Sequence, residues 1–198
     1  MLKIVIADSY DQVSEEAFKI MRQVVEKENP VLGLATGSTP VGLYKKMIAD
    51  HKTNCTSYKN AITFNLDEYV GLPRNHEQSY YTFMHENLFN EIDVPEENIH
   101  IPNCEAADPE AECVRYESEM AKYVVDIQIL GIGYDGHIAF NEPGAAFDSL
   151  THTMELTEQT RKDNARFFGG DIEQVPTLAI TQGLGTIMRA KKIILIAT

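Results

Sequence analysis

The residues best suited to chemistry are Asp135, His137 and Glu142, which lie close together in the stretch LGIGYDGHIAFNEPG at residues 130–144. A carboxylate that holds an imidazole in place makes it a better proton acceptor, so the group predicts a proton shuttle. The same residue types could instead hold a metal ion. Metal-assisted hydrolysis usually needs a second histidine nearby, which this stretch lacks, so we expect no metal.

A second pair of acids, Asp67 and Glu68, follows the apolar run at residues 61–66. Strand ends are where α/β proteins place reactive groups, and a partly desolvated carboxylate there can act as a general base. Side chains alternate along a strand, so only one of the two acids should reach a pocket. Two solvated acids in a turn are the alternative that these residues leave open.

A phosphate site is predicted at the turn LATGSTP, residues 34–40, which links an apolar run to a helical pattern. Glycine allows a ligand to approach the backbone, and N–H groups at a helix start attract phosphate. A plain capped turn has the same appearance, and the spacing alone favours that interpretation. The turn lacks the Walker pattern, which argues against a nucleotide triphosphatase. The candidate residues are Thr36, Gly37, Ser38 and Thr39.

Two arginines, Arg161 and Arg166, lie in the stretch TRKDNARFF at residues 160–168. Arginine can hold a phosphate through two parallel hydrogen bonds. A basic helix face exposed to solvent explains the same residues, and the residues alone favour this interpretation over a phosphate site.

The elements that must position these residues alternate between strand and helix patterns along the chain, with Thr39 expected to cap the second helix. This alternation predicts an α/β fold, with a mostly parallel sheet covered by helices on both faces, in a single domain over residues 1–198. The last apolar run has nothing after it, so we expect the chain to be a fragment. Strands are predicted at residues 2–7, 31–35, 61–66, 124–131, 153–156, 177–181 and 193–197, and helices at 13–27, 40–50, 80–90, 109–123 and 184–190.

The composition argues against several classes of partner. The 198 residues carry 17 Lys and Arg against 30 Asp and Glu, a formal net charge of −13, which disfavours binding to nucleic acid or to an anionic membrane surface. No secretory signal or membrane-spanning run is visible, so a cytoplasmic location is expected. The three cysteines form no CxxC pair and are expected to be reduced thiols.

Four stretches together resemble the glucosamine-6-phosphate deaminase family, and the resemblance extends over residues 3–198. It implies a Rossmann-like α/β fold, an amino-sugar phosphate as ligand, and chemistry without a metal, nicotinamide or pyridoxal phosphate. Monomers and homo-oligomers both fit the resemblance. The stretches are DEYVGL at 67–72, SYYTFM at 79–84, GHIAFNEP at 136–143 and NARFF at 164–168.

The resemblance also implies roles for single residues in converting glucosamine 6-phosphate to fructose 6-phosphate and ammonia. Asp67 matches the general base that moves a proton from C2 to C1, and His137 matches the residue that assists ring opening at O5. Asp135 and Glu142 match the acids that orient the imidazole. The turn at residues 36–39 and Arg166 match part of the site for the 6-phosphate.

The sequence departs from the family pattern in two places. The family has a phosphate-binding lysine, a strand and a helix beyond the position of Thr198, and we expect this chain to lack them. Allosteric members bind an acetylated sugar phosphate through a serine and basic residues after the NEP motif. The matching stretch here, AAFDSLTHTM at residues 145–154, has no Lys or Arg, so we expect no activation by N-acetylglucosamine 6-phosphate.

Two other functions compete with the deaminase. 6-Phosphogluconolactonase is similar in fold and in its Gly-x-Asp-Gly-His turn, but it needs only water attack on an ester. The stretches around Asp67 and Glu142 favour the deaminase over the lactonase. A non-catalytic sugar-phosphate sensor would bind ligand without turnover, and the complete set of acids and histidine argues against it.

Overall fold

The computed structural model describes residues 2–198, which contain two β-sheets. The strands are β1 (Val31–Leu34), β2 (Ile62–Asn65), β3 (Asp67–Tyr69), β4 (Ile99–His100), β5 (Ile127–Leu130), β6 (His152–Glu155), β7 (Leu178–Thr181) and β8 (Ile193–Leu195). One sheet is parallel, with five strands in the order β4-β2-β1-β5-β8, and the other is antiparallel, with three strands in the order β3-β7-β6.

The helices connect these strands and cover the parallel sheet. The part of the chain that the structure describes also has three short 3-10 helices, at Phe89–Glu91, Glu96–Asn98 and Ile172–Gln174. Within residues 2–198, no helix is both long enough and apolar enough to cross a membrane. The α-helices are α1 (Tyr10–Val25), α2 (Val41–Asn54), α3 (Tyr80–Asn87), α4 (Pro109–Met120), α5 (Glu158–Ala165) and α6 (Leu184–Ile187).

Helices lie on both faces of the parallel sheet, as its central strand β1 makes clear. Leu32 and Leu34 belong to a core that also contains buried residues of α1, α2 and α3. Val31 packs instead in a separate core with Phe64 and with Tyr116 of α4. Because neighbouring side chains of a strand point to opposite faces, these two cores lie on opposite sides of the sheet. The predicted α/β architecture is therefore confirmed.

The strand order places a switch point between β1 and β5. From β1 the chain moves through α2 to β2 and then to β4, and it returns to pair β5 with the other side of β1. The connections after β1 and β5 therefore lead away in opposite directions. In open α/β sheets the resulting crevice at the carboxyl ends of the strands is where ligands bind.

The antiparallel sheet was not predicted. Its strand β3 begins at Asp67, which pairs with Thr181 of β7, and Thr181 also pairs with His152 of β6. The pairing is made by the neighbours of Asp67, since the N–H of Gln182 donates to the carbonyl of Leu66 at 2.7 Å and the N–H of Val70 donates to the carbonyl of Leu178 at 2.9 Å. Nothing local in the sequence of β3 marks it as a strand, since its three residues are two acids and a tyrosine.

The prediction of a strand at residues 2–7 is wrong. These residues have no regular secondary structure, and the side chains of Leu2, Ile4 and Ile6 are 86%, 76% and 90% exposed. An apolar run forms a strand only where another strand offers hydrogen bonds, and no strand within residues 2–198 pairs with this run.

The predicted cap of α2 is also wrong. Pro40 occupies the N-cap position and makes no side-chain capping bond, so Thr39 does not cap the helix. The hydroxyl of Tyr10 takes over this function: it donates to the carbonyl of Ser38 at 2.9 Å and accepts from the N–H of Gly42 at 2.7 Å. The start of α2 is thus tied to α1 instead of being closed by its own sequence.

Candidate active site

A cavity of about 260 Å³ lies at the crevice beside β1 and β5 and brings together most of the predicted site residues. Asp135 and Glu142 are not among the residues that line the cavity, and they contact His137 instead. The predicted residues that do line it are Thr36, Gly37, Ser38, Thr39, Asp67, His137 and Arg166.

The imidazole of His137 is held by Asp135. Oδ1 of Asp135 lies 2.7 Å from Nδ1 of His137 and also accepts the backbone N–H of His137 at 3.1 Å. Burial opposes ionisation of Asp135, but the hydrogen bonds and charge of His137 outweigh it and lower the pKa of Asp135. With Nδ1 donating to Asp135, Nε2 is left as the proton-accepting atom of the ring.

Glu142 approaches the same imidazole from a buried position. Its Oε2 lies 4.0 Å from Nδ1 of His137 and has no hydrogen-bond partner within residues 2–198. Its Oε1 accepts a hydrogen bond of 2.6 Å from the hydroxyl of Thr160, and Thr157 contributes two longer contacts. One oxygen of Glu142 is therefore anchored while the other faces the histidine.

These three side chains are the group within residues 2–198 whose ligand atoms could hold a metal ion, since the atoms lie within 4.8 Å of one another. The contact between Asp135 and His137, at 2.7 Å, is a hydrogen bond. Two ligands about 2 Å from one metal ion lie farther apart than that, so binding a metal would require this bond to break. The geometry as it stands is that of an acid–base relay.

Asp67 and Glu68 point to different sides, as the strand alternation predicted. Asp67 lines the cavity. Glu68 instead accepts the backbone N–H groups of Tyr69, Tyr80 and Tyr81, and so fastens the start of α3 to β3. Burial, together with the charge of Glu68, raises the pKa of Asp67 to about 8. A carboxylate with so high a pKa is a much stronger base than one in water.

The turn at residues 36–39 presents unpaired backbone donors. Gly37 has a positive φ of 89°, a conformation that favours glycine. Within residues 2–198, the N–H groups of Gly37, Ser38 and Thr39 donate no hydrogen bond. These groups lie just before α2, whose N-terminal dipole adds positive potential, so the turn is suited to bind an anion.

Arg166 supplies a full positive charge to the same cavity. It forms the C-cap of α5, and its guanidinium carbon lies 4.7 Å from the centre of the Phe167 ring. Arg161, the other arginine of the predicted basic stretch, does not line the cavity. It donates to the carbonyls of Ile172 and Val175 and therefore has a structural role.

A wall of aromatic residues in the cavity was not predicted from the sequence. The rings of Tyr80 and Phe140 stack with an interplanar angle of 8°, and Tyr69 packs against both. Asn164 donates to the hydroxyl of Tyr69 at 2.9 Å and so ties α5 to this wall. All four of these residues lie inside the stretches quoted for the resemblance, but their contacts depend on segments far apart in the chain.

The hydroxyls of Thr157 and Thr160 were also missed. A threonine before a helical pattern is an N-cap signal, and Thr157 does accept the N–H of Thr160. That signal predicts the start of α5, but it does not reveal that the same residues bind Glu142.

Together these features define an α/β protein with an acid–base site and an anion-binding turn at the switch point of its parallel sheet. Residues 7–198 match the family described as glucosamine-6-phosphate isomerases/6-phosphogluconolactonase, and the chain belongs to that family.

Comparison with relatives and with solved structures shows which members of this family the chain is similar to. The chain is 51% identical to glucosamine-6-phosphate deaminase of Lysinibacillus sphaericus, over 99% of this chain and 83% of the relative. It is 51% identical to the deaminase of a Thermoanaerobacter species, over 100% of this chain and 78% of the relative.

Among solved structures, a monomeric glucosamine-6-phosphate deaminase superposes with a TM-score of 0.96 at 44% identity, over 98% of this chain and 81% of that chain. The 6-phosphogluconolactonase of Trypanosoma brucei superposes with a TM-score of 0.78 at 20% identity, over 98% of this chain and 81% of that chain. The lactonase likeness therefore concerns the fold alone.

Proposed function

We propose that this chain is a glucosamine-6-phosphate deaminase, which converts glucosamine 6-phosphate and water to fructose 6-phosphate and ammonia. The observation that carries the proposal is the position of Asp67, a buried carboxylate of raised pKa that shares one cavity with His137 and with an anion-binding turn. The two deaminases that are 51% identical to this chain support the same conclusion.

The sugar phosphate binds with its 6-phosphate at the turn of residues 36–39 and at Arg166. Backbone N–H groups and a guanidinium together neutralise the anion. This contact lies away from the reacting carbons, so its binding energy serves to orient the sugar beside Asp67 and His137.

The first chemical step is opening of the pyranose ring. The C1–O5 bond breaks as the hydroxyl at C1 loses a proton and O5 gains one. Nε2 of His137 relays this proton, while the bond from Nδ1 to Asp135 keeps the ring oriented. The carboxylate of Glu142 faces the imidazole and stabilises the charge that the ring carries during the relay.

The second step is proton transfer between neighbouring carbons. The carboxylate of Asp67 removes the proton from C2 of the open amino sugar and returns it to C1, while a proton passes from the amino nitrogen to O1, which leaves a ketimine at C2 and a hydroxyl at C1. Water adds to this ketimine and ammonia leaves, so fructose 6-phosphate is formed. The low polarity around Asp67 favours this step, because a poorly solvated carboxylate is a stronger base.

Ammonia release from glucosamine 6-phosphate by the purified 198-residue chain tests the proposal, with Asp67→Asn as the inactive variant. Asp148→Asn is the matched control, since Asp148 is exposed and does not line the cavity. We expect release by the wild type and the control and a loss of at least about a thousandfold in Asp67→Asn.

The same preparation should be offered 6-phosphogluconolactone. Lactone hydrolysis without ammonia release from the amino sugar would assign the chain to the lactonases. Thermal stabilisation by glucosamine 6-phosphate without turnover of either compound would indicate a sensor. Either result would refute the proposed deaminase.

A further inference from the structure

Glu142 is held by a helix that comes later in the chain. Glu142 is 7% exposed, and its Oε1 accepts a hydrogen bond of 2.6 Å from the hydroxyl of Thr160, which is itself 4% exposed. The hydroxyl of Thr157 lies 3.0 Å from that of Thr160 and 3.3 Å from the same carboxylate oxygen. The first turn of α5, with its positive dipole end, is thus fastened to the carboxylate.

Because Thr160 holds Oε1 of Glu142, the other carboxylate oxygen, Oε2, is the one that faces His137. Once Oε1 of Glu142 is fixed, the rotation of the carboxyl group is fixed too, and Oε2 is directed at Nδ1 of His137, 4.0 Å away. Oε2 is buried and has no hydrogen-bond partner within residues 2–198, so its charge is uncompensated except by the imidazole.

The other end of the same helix reaches the anion-binding part of the cavity. α5 starts at N-cap Thr157 and ends at C-cap Arg166, and Thr160, Asn164 and Arg166 all line the cavity. A helix rises about 1.5 Å per residue, so Thr160 and Arg166 stand roughly 9 Å apart along one rigid element. A movement of α5 at Arg166 must therefore also move the hydroxyl that holds Glu142.

We propose that Thr160 is a positioning residue, whose hydroxyl orients Glu142 toward His137 and links the imidazole through α5 to the anion site at Arg166. A phosphate bound at Arg166 thereby fixes the position of the Glu142 side chain beside His137. This inference rests on the proposed function for its effect on turnover, but the structural link itself can be measured without turnover.

The first test separates catalysis from binding. Thr160→Val removes the hydroxyl with little change in volume and leaves the backbone N–H bonded to Thr157. We expect kcat for ammonia release to fall about tenfold with KM changed less than about twofold, and Thr160→Ser to recover most of the loss. Thr153→Val is the matched control, because the hydroxyl of Thr153 binds Glu110 away from the cavity.

A second test uses inorganic phosphate and requires no turnover. Carbon–proton NMR spectra of the wild type labelled in its histidine rings should show the His137 signal moving as phosphate is added. In Thr160→Val the phosphate should still bind, as followed by calorimetry, but the His137 signal should no longer respond. Thr160→Ser should restore the response.

The outcomes separate this inference from the proposed function. A wild type that releases no ammonia refutes the deaminase, while the phosphate response still decides the role of Thr160. Equal His137 responses in the wild type and Thr160→Val, or no response in the wild type, overturn the link. A Thr160→Val chain that unfolds at lower temperature but keeps kcat per folded molecule shows that the hydroxyl has only a structural role, and also overturns it.

Discussion

The imidazole of His137 lies directly against Gly133, so closely that a β-carbon at residue 133 would fall 2.3 Å from Cε1 of the ring. The two residues are also joined by a backbone bond of 2.9 Å from the N–H of Gly133 to the carbonyl of His137. Gly133 is therefore required because the histidine occupies the space of a side chain.

Gly133→Ala should displace the imidazole from Asp135 and lower kcat/KM for ammonia release by about ten- to a hundredfold. Gly131→Ala is the matched comparison, because a β-carbon at residue 131 meets nothing within 4 Å. We expect it to cost less activity than Gly133→Ala. Equal activity of the two variants would contradict the steric explanation.

The pH dependence of the reaction should report the ionisation of Asp67. The base must be ionised, and burial followed by the charge of Glu68 raises its pKa to about 8, so kcat/KM should rise with pH, reach half its maximum at about pH 8 and level off roughly one pH unit higher. In a folded Glu68→Gln variant the rise should move to lower pH, because the neighbouring negative charge is gone. A profile that is flat over this interval would argue against Asp67 as the base.

The stability of the chain should depend on the ionisation of Asp67 in the opposite direction, falling as pH rises. Because folding raises the pKa of Asp67 from 3.8 to about 8, its contribution to stability is complete below about pH 3.8 and is lost as pH rises to about 8. Asp67→Asn has no carboxyl group to ionise and so avoids this loss. The difference in free energy of unfolding between the variant and the wild type should therefore grow with pH.

At about pH 8 we expect the free energy of unfolding of Asp67→Asn, measured by urea titration, to exceed that of the wild type by ~1–3 kcal/mol. The midpoint of thermal unfolding should rise by roughly 2–4 °C for each kcal/mol. Asp148→Asn should show no such trend, and a variant advantage that is constant over the pH range would refute the explanation.

Arg166 should act mainly on substrate binding. Arg166→Gln should raise KM for glucosamine 6-phosphate by at least about tenfold, and weaken inhibition by inorganic phosphate in parallel, because a charged hydrogen-bonding group is lost. Lys162→Gln removes a positive charge from the same helix outside the cavity, where Lys162 pairs with Glu158. Similar KM values for the two variants would mean that overall charge, and not Arg166, attracts the phosphate.

N-acetylglucosamine 6-phosphate should not activate the chain. The stretch at residues 145–154 has no Lys or Arg to bind a second phosphate. Its Ser149 is engaged within the fold, since its hydroxyl accepts the N–H of Leu184 and its carbonyl accepts the N–H of Gly185. Saturation curves with and without the acetylated compound should coincide, and a shift of the half-saturation point would show that an activating site exists.

Two of the errors in the fold prediction have a common cause. The apolar run at residues 2–7 was assigned a strand and the short acidic segment Asp67–Tyr69 was not, whereas the structure has the reverse. Local hydrophobicity does not report whether a partner strand is available. Strand β3 exists because Thr181 of a distant segment pairs with Asp67, and residues 2–7 have no such partner within the described chain.

The sequence by itself determined the α/β class, the family and the residue types of the candidate site, because these follow from short-range periodicity and from motifs that are contiguous in the chain. It also separated Asp67 from Glu68, since the alternation of side chains is a local property of a strand.

Only the tertiary structure decided how the parts meet. The crevice between β1 and β5, the anchoring of Glu142 by Thr160, and the separation of Arg166 from Arg161 all depend on contacts between distant segments. Such contacts form when the whole chain packs its apolar surfaces and pairs its buried polar groups at the same time. A short stretch of sequence therefore does not determine them.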